Sequence, residues 1–209
     1  MKKIISGKVR DIYEINEKEL IIVTTDRISA FDVILKSTIK DKGVALNLIS
    51  EYWFDYTSKI IPNHIISTDL SDMPSYFSEN PAHYKSRTVL VKKLKMLPYE
   101  FIVRGYMFGS MWEEYKTYKT FCGQKVEGEY ELAQKLPEPI VTPSVKNSTG
   151  HDEYISLERL KKELGEKGAD KICDICFHTS NQRSKNLLSM GVSEDGLLFK
   201  SHLIQKKDT

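Results

Sequence analysis

The residues best equipped for chemistry crowd into positions 104–156. Arg104-Gly105-Tyr106 and Gly109-Ser110 come first, then Thr142-Pro143-Ser144-Val145-Lys146 and Gly150-His151-Asp152-Glu153. Arginine offers a fork of donors, serine a hydroxyl, and loop glycine a backbone that a ligand can approach closely, so these types hold phosphate or carboxylate oxygens. The His-Asp-Glu run adds carboxylates able to meet a cation or an amine. Both signs of charge in one stretch predict a site for a charged, multi-group small molecule rather than a smooth protein or DNA interface.

Two earlier segments carry related chemistry. Gly7-Lys8-Val9-Arg10 could fold over a triphosphate, its glycine admitting close backbone approach and Lys8 and Arg10 offsetting phosphate charge. It is neither a Walker motif nor a full GxGxxG, and a surface hairpin with basic side chains reads the same. Thr25-Asp26-Arg27-Ile28-Ser29-Ala30-Phe31-Asp32 follows an apolar run and suits a site on a loop. It equally suits an Asp26–Arg27 turn with Ser29 as a cap. For Arg104 the alternative to an anion is a salt bridge with Glu100 or Glu113. For His151-Asp152-Glu153 it is the capping of a following helix.

These residues need elements to hold them. Residues 7–15 alternate and predict a strand entered at a glycine, and Leu20–Thr25 is a β-branched return strand. Leu46, Ile49, Trp53 and Ile60 predict a helix within 43–60 that Pro62 stops. Further strands are expected at Thr88–Leu94 and Phe101–Val103, a short helix at Gly109–Tyr118, and loop or short strands over Gly123–Pro143. Ser156 should cap a helix bearing Leu157, Leu160 and Leu164, with Gly165 as its stop. From Cys173 to Asn186 neither period is legible, and Leu197-Leu198-Phe199 is a strand candidate. The best lobe boundary lies near Pro98, giving a β-rich lobe over 1–97 and an α+β lobe over 98–209.

Composition bounds the answer without choosing it. At 209 residues, 40% hydrophobic and 29% charged, the chain reads as an ordinary globular protein. Its net charge of +2 argues against a dedicated nucleic-acid binder. No signal-like start and no apolar run near the roughly 20 residues of a membrane span predict a cytoplasmic location. Cys122, Cys173 and Cys176 are expected to be free thiols. Cys173-x-x-Cys176 with His178 nearby falls short of the four ligands of a closed zinc site.

Taken together, the motifs resemble the SAICAR synthetase (phosphoribosylaminoimidazole-succinocarboxamide synthase) family of purine biosynthesis. The resemblance runs through Gly7–Tyr13, Thr25–Asp32, Lys42–Asn47, Pro62–His64, Val103–Tyr106, Gly109–Trp112, Lys135–Pro139, Thr142–Lys146 and Gly150–Glu153. It implies an α+β, two-lobed fold with an ATP cleft between lobes. It also implies a ligase that joins L-aspartate to the carboxylate of carboxyaminoimidazole ribonucleotide, using ATP and Mg²⁺. By resemblance Gly7, Lys8, Val9, Arg10, Lys92 and Glu100 serve ATP, and Ser29, Asp32, Arg104 and Ser110 the substrate. Lys146, Asp152 and Glu153 lie near the reacting groups. The metal's ligands are not specified, and a homo-oligomer is possible. The family's Ala-Asp-Thr-Lys-Phe-Glu-Phe-Gly strand, its later Asp-Glu pair and its Thr-Pro-Asp-Ser-Ser-Arg-Phe-Trp segment have no counterpart after Lys171. Met111 stands where the family usually has Gly, and Val145 where it has Thr. The C-terminal part is thus atypical or truncated, and the alternative is a truncated or frameshifted relative that binds nucleotide with little or no ligase activity. A kinase-like phosphotransferase is disfavoured, because no His-Arg-Asp or Asp-Phe-Gly segment is present.

Overall fold

A computed structural model describes residues 1–30, 33–122, 124–146, 153–189, 198–201 and 204–205. The chain divides into two units, one over Met1–Leu94 and the other over Lys95–Lys206.

In the first unit the strands are β1 (Lys2–Ser6), β2 (Arg10–Glu14), β3 (Glu19–Thr24), β4 (Arg27–Ala30) and β5 (Val33–Thr38). Helix α1 (Lys42–Tyr56), β6 (Ile65–Ser67), the short helices α2 (Ser75–Ser78) and α3 (Pro81–Tyr84), and β7 (Thr88–Lys92) follow. Five strands form an antiparallel sheet ordered β1-β2-β3-β7-β6. Its alternating side chains Tyr13, Ile21, Val23 and Leu90 pack on Met73, Phe77 and Tyr84 as one core, as a half-buried sheet with one apolar face requires. The predicted hairpin is therefore present, but its strand starts at Arg10 and leaves Gly7–Val9 as the loop. Helix α1 ends at Tyr56, short of the expected limit at residue 60, and a turn closed by Ile60 N–H to Thr57 O carries the chain onward.

The second unit comprises β8 (Lys95–Met96), β9 (Tyr99–Tyr106), α4 (Ser110–Tyr118), β10 (Thr120–Phe121), β11 (Gln124–Lys125) and β12 (Lys135–Val145). After these come β13 (Glu153–Tyr154), α5 (Leu157–Leu164), α6 (Glu166–Ser189), β14 (Leu198–Ser201) and β15 (Ile204–Gln205). Its sheet is ordered β13-β12-β9-β14, all antiparallel.

Two sequence expectations fail here, each for a physical reason. Residues 123–143 read as loop or short strands, and the short strand β11 is there, yet β12 is an eleven-residue strand. Pro137 and Pro139 are tolerated because the ladder with β9 breaks between Lys135 and Ile140, a bulge that spans both, whereas Pro143 stands in the regular ladder opposite Phe101. The illegible stretch after Lys171 lies within the 24-residue helix α6. Its buried stripe consists of Ala169, Ile172, Cys173, Cys176 and Phe177, packed on Phe101, Val103 and Leu160. Small and sulfur-bearing side chains mark that face, so the usual leucine periodicity is missing.

The sheet of the second unit has two unlike faces. Residues directly opposite one another in a ladder share a face. Tyr99, Phe101, Val103 and Val141 therefore point one way, into the apolar core beneath α5 and α6. Glu100, Ile102 and Arg104 point the other way with Thr142 and Ser144, and all five are buried. A buried polar face stays stable only if its groups are hydrogen-bonded.

Candidate functional site

Arg104 is the centre of that polar face and is only 3% exposed. Its Nε donates to Thr142 Oγ1 at 3.1 Å, and Nη1 reaches the Phe108 carbonyl oxygen at 3.4 Å. Nη2 donates to Ser110 Oγ at 3.1 Å and Tyr154 Oη at 3.2 Å. Ser110 Oγ in turn donates to Tyr154 Oη at 2.8 Å. The guanidinium lies 5.0 Å from the Phe121 ring centre and 5.6 Å from that of Tyr154, within the range of cation–π attraction.

No carboxylate among the described residues pairs with Arg104. The salt bridges proposed as its alternative fate are made elsewhere: Glu100 with Lys146 at 3.1 Å, and Glu113 with Lys116. A desolvated guanidinium surrounded by neutral acceptors retains an uncompensated positive charge, which favours an anion beside it.

The local chain explains how Ser110 arrives there. Gly109 has φ +61° and ψ −138°, a region that only glycine occupies readily. The turn through Gly109 starts α4 at Ser110, so the hydroxyl and the positive end of the helix dipole lie beside Arg104. Tyr154 was not singled out by the sequence. It stands opposite Ser144 in the β12–β13 ladder and so shares the polar face. Its only sequence signal is adjacency to Glu153.

The other second-unit candidates are placed differently. Glu100 is 1% exposed, and Lys146, half-exposed, reaches it through Nζ. Glu153 is exposed and accepts from Arg159 at 3.0 Å. The cap of α5 is Ser156, whose Oγ accepts from the Arg159 N–H at 3.2 Å, and Gly165 ends the helix at φ +77°. Gly150, His151 and Asp152 lie outside the described residues.

In the first unit Gly7–Arg10 forms a tight loop closed by Gly7 N–H to Arg10 O at 2.8 Å. Its carbonyls turn toward their own support. Val9 O accepts from the N–H and hydroxyl of Thr25, and Gly7 O and Lys8 O accept from Arg27. With those carbonyls withdrawn, the loop's cations Lys8 and Arg10 dominate its outward charge. Arg27 is itself held by Asp11 at 2.6 Å, and Asp11 also accepts from Lys3 and Ser6. Burial pushes the Asp11 carboxyl up, but the hydrogen bonds from Arg27, Lys3 and Ser6 outweigh it and hold the group at about 2.

Of the Thr25–Asp32 motif, Asp26 is structural. Its carboxylate accepts from the Gly43 N–H at 2.8 Å and pairs with Arg87 at 3.1 Å, anchoring the start of α1. Gly43 is required there, because a Cβ would sit 2.5 Å from the Thr24 carbonyl oxygen. Ser29 lies half-buried on β4, Lys92 is exposed at the end of β7, and Asp32 lies outside the described residues. His64 is held below the ordinary imidazole range by burial and by the like charge of Arg10.

Of two open cavities, one of about 470 Å³ beside α1 is lined by none of the sequence-predicted site residues, and one of about 380 Å³ over β12 meets only Thr142 and Pro143 of them. Burial pushes the Cys122 thiol up to about 12, so it is no thiolate nucleophile. Among the described residues no three His, Cys, Asp or Glu side chains gather as a metal cage. No step is assigned to a Mg²⁺ ion. Among the described residues, too, no helix is long and apolar enough to cross a membrane.

Comparison with known proteins places this geometry. The family model for SAICAR synthetase matches residues 3–193. A phosphoribosylaminoimidazole-succinocarboxamide synthase of Lachnospira eligens is 45% identical over 194 residues, 89% of this chain and 64% of that protein. One of Geobacter metallireducens is 48% identical over 176 residues, 84% of this chain and 59% of its own length. Among solved structures, SAICAR-synthase from Saccharomyces cerevisiae complexed with SAICAR superposes with a TM-score of 0.84 at 33% identity. That match covers 96% of this chain and 67% of the yeast chain. The chain thus spans about three-fifths of the length of the curated relatives it matches. Nothing in these matches supports the alternative of a relative without ligase activity.

Proposed function

The chain belongs to the SAICAR synthetase family, and on that premise we propose that it is an ATP-dependent carbon–nitrogen ligase of purine biosynthesis. It joins L-aspartate to the carboxylate of carboxyaminoimidazole ribonucleotide, giving SAICAR, ADP and phosphate. The observation that carries this reading is Arg104, a buried cation whose partners are all neutral and which shares its face with the Ser110 hydroxyl. That arrangement suits the phosphate of a ribonucleotide.

The chemistry sets the remaining roles. A carboxylate is a poor electrophile, so one of its oxygens attacks the γ-phosphorus of ATP. ADP departs and an acyl phosphate remains. The amine of aspartate then attacks the acyl carbon, loses a proton and expels phosphate. Several anions must be brought together, and cations near them offset the repulsion. Gly7, Lys8, Val9 and Arg10 take the triphosphate, with the loop's carbonyls turned away from it. Lys146 holds the reacting carboxylate. Glu153 and Asp152 take the amine of aspartate. Lys92 and Glu100 are assigned to ATP, and Ser29 and Asp32 to the substrate, on the family resemblance alone.

An assay with ATP, Mg²⁺, the ribonucleotide and L-aspartate tests the proposal. SAICAR and ADP should form in equal amounts, and omission of any one substrate should stop both. Tight binding of nucleotide without product, or ADP release independent of aspartate, would overturn it.

A further inference from the structure

The trio Arg104–Ser110–Tyr154 contains a donor that neither the family motifs nor the proposed reaction has used. Tyr154 Oη accepts two hydrogen bonds, from Ser110 Oγ at 2.8 Å and from Arg104 Nη2 at 3.2 Å. A phenol oxygen that accepts twice still carries its own proton. Among the described residues that proton has no acceptor. Accepting from a guanidinium polarises the O–H and strengthens it as a donor. The ring is fixed as well, lying 5.3 Å from Phe121 and against the Arg104 guanidinium, so the hydroxyl is held in place.

We propose that Tyr154 is a further ligand of the oxyanion assigned above to Arg104, donating its phenol O–H to a phosphate monoester while Ser110 supports the phenol oxygen from behind. This rests on the proposed substrate reading. Phosphate oxygens only accept, so they match a cradle that presents a guanidinium and a phenol whose oxygen is held by the Ser110 hydroxyl. Tyr154 therefore favours the ribonucleotide over its dephosphorylated riboside.

Calorimetric titration of the full chain with SAICAR and with its dephosphorylated riboside separates the possibilities. Tyr154→Phe keeps the ring against Arg104 and removes only the hydroxyl. Its affinity for SAICAR should fall about tenfold, since a hydrogen bond to a charged group contributes about 1.5–3 kcal/mol. Its affinity for the riboside should stay within about twofold. Unchanged SAICAR affinity, or a parallel loss for both ligands, overturns the role of Tyr154. The substrate reading fails separately: a wild-type chain that binds SAICAR no tighter than the riboside has no phosphate site here, and the inference falls with it. If the wild-type chain discriminates and Arg104→Lys abolishes the discrimination while Tyr154→Phe does not, the phosphate site stands and Tyr154 alone is excluded.

Discussion

The two charged regions solve the same electrostatic problem in opposite ways. The Gly7–Arg10 loop keeps Lys8 and Arg10 exposed and hides its order beneath, in Arg27 and the buried carboxylate of Asp11. The Arg104 face hides the cation itself and holds it with hydroxyls and a carbonyl. An exposed cation attracts phosphate at long range, but salt screens it and its net strength is modest. A buried cation is screened far less, and its desolvation already favours an incoming anion. On the proposed reading, the loop suits a ligand that comes and goes, and the sheet face one gripped at a fixed point.

The largest effect should come from removing what supports the second region. Phe101 is fully buried beneath the sheet, and Phe101→Ala should cost about 3–5 kcal/mol in denaturant unfolding. A cost below about 1 kcal/mol would show that the polar face does not depend on the packing behind it. Next is the clamp of the first region. Because the folded state holds Asp11 at about 2, below its ordinary value, its contribution is complete above about pH 4 and is lost as pH falls toward 2. Wild-type stability should drop by about 2 kcal/mol more across that window than that of Asp11→Asn. Identical pH profiles would remove Asp11 as the anchor of the loop. The smallest effect is expected at Lys8. Lys8→Ala should weaken ATP binding only a few-fold at physiological salt and more at low ionic strength. A loss independent of salt would mean that the loop grips its ligand as a buried site does.

What the sequence disclosed follows the same division. The β2–β3 hairpin was legible from alternation, and α5 from Ser156, its leucine stripe and Gly165. Gly109-Ser110 was legible as a motif because a backbone at φ +61° leaves glycine little competition. Helix α6 was hidden because small residues and cysteines form its buried stripe, and β12 because Pro137 and Pro139 sit at a bulge. Asp26 and Arg27 read as equally suited to a ligand or a turn, since only the fold reveals that they brace α1 and the Gly7 loop. Tyr154 carried no signal beyond its adjacency to Glu153. Its place depends on a ladder to Ser144, which brings it to an arginine fifty residues upstream of itself.

On the proposed reading, the buried charge of Arg104 receives the phosphate of the ribonucleotide. Titration of that ribonucleotide into the wild-type chain and into Arg104→Lys tests it most directly. Lysine keeps the charge and loses the planar fork, so affinity should fall roughly tenfold or more while circular dichroism stays unchanged. Equal affinity in both proteins, with the fold intact, would contradict the claim and leave Arg104 as a structural tie between β9, α4 and β13.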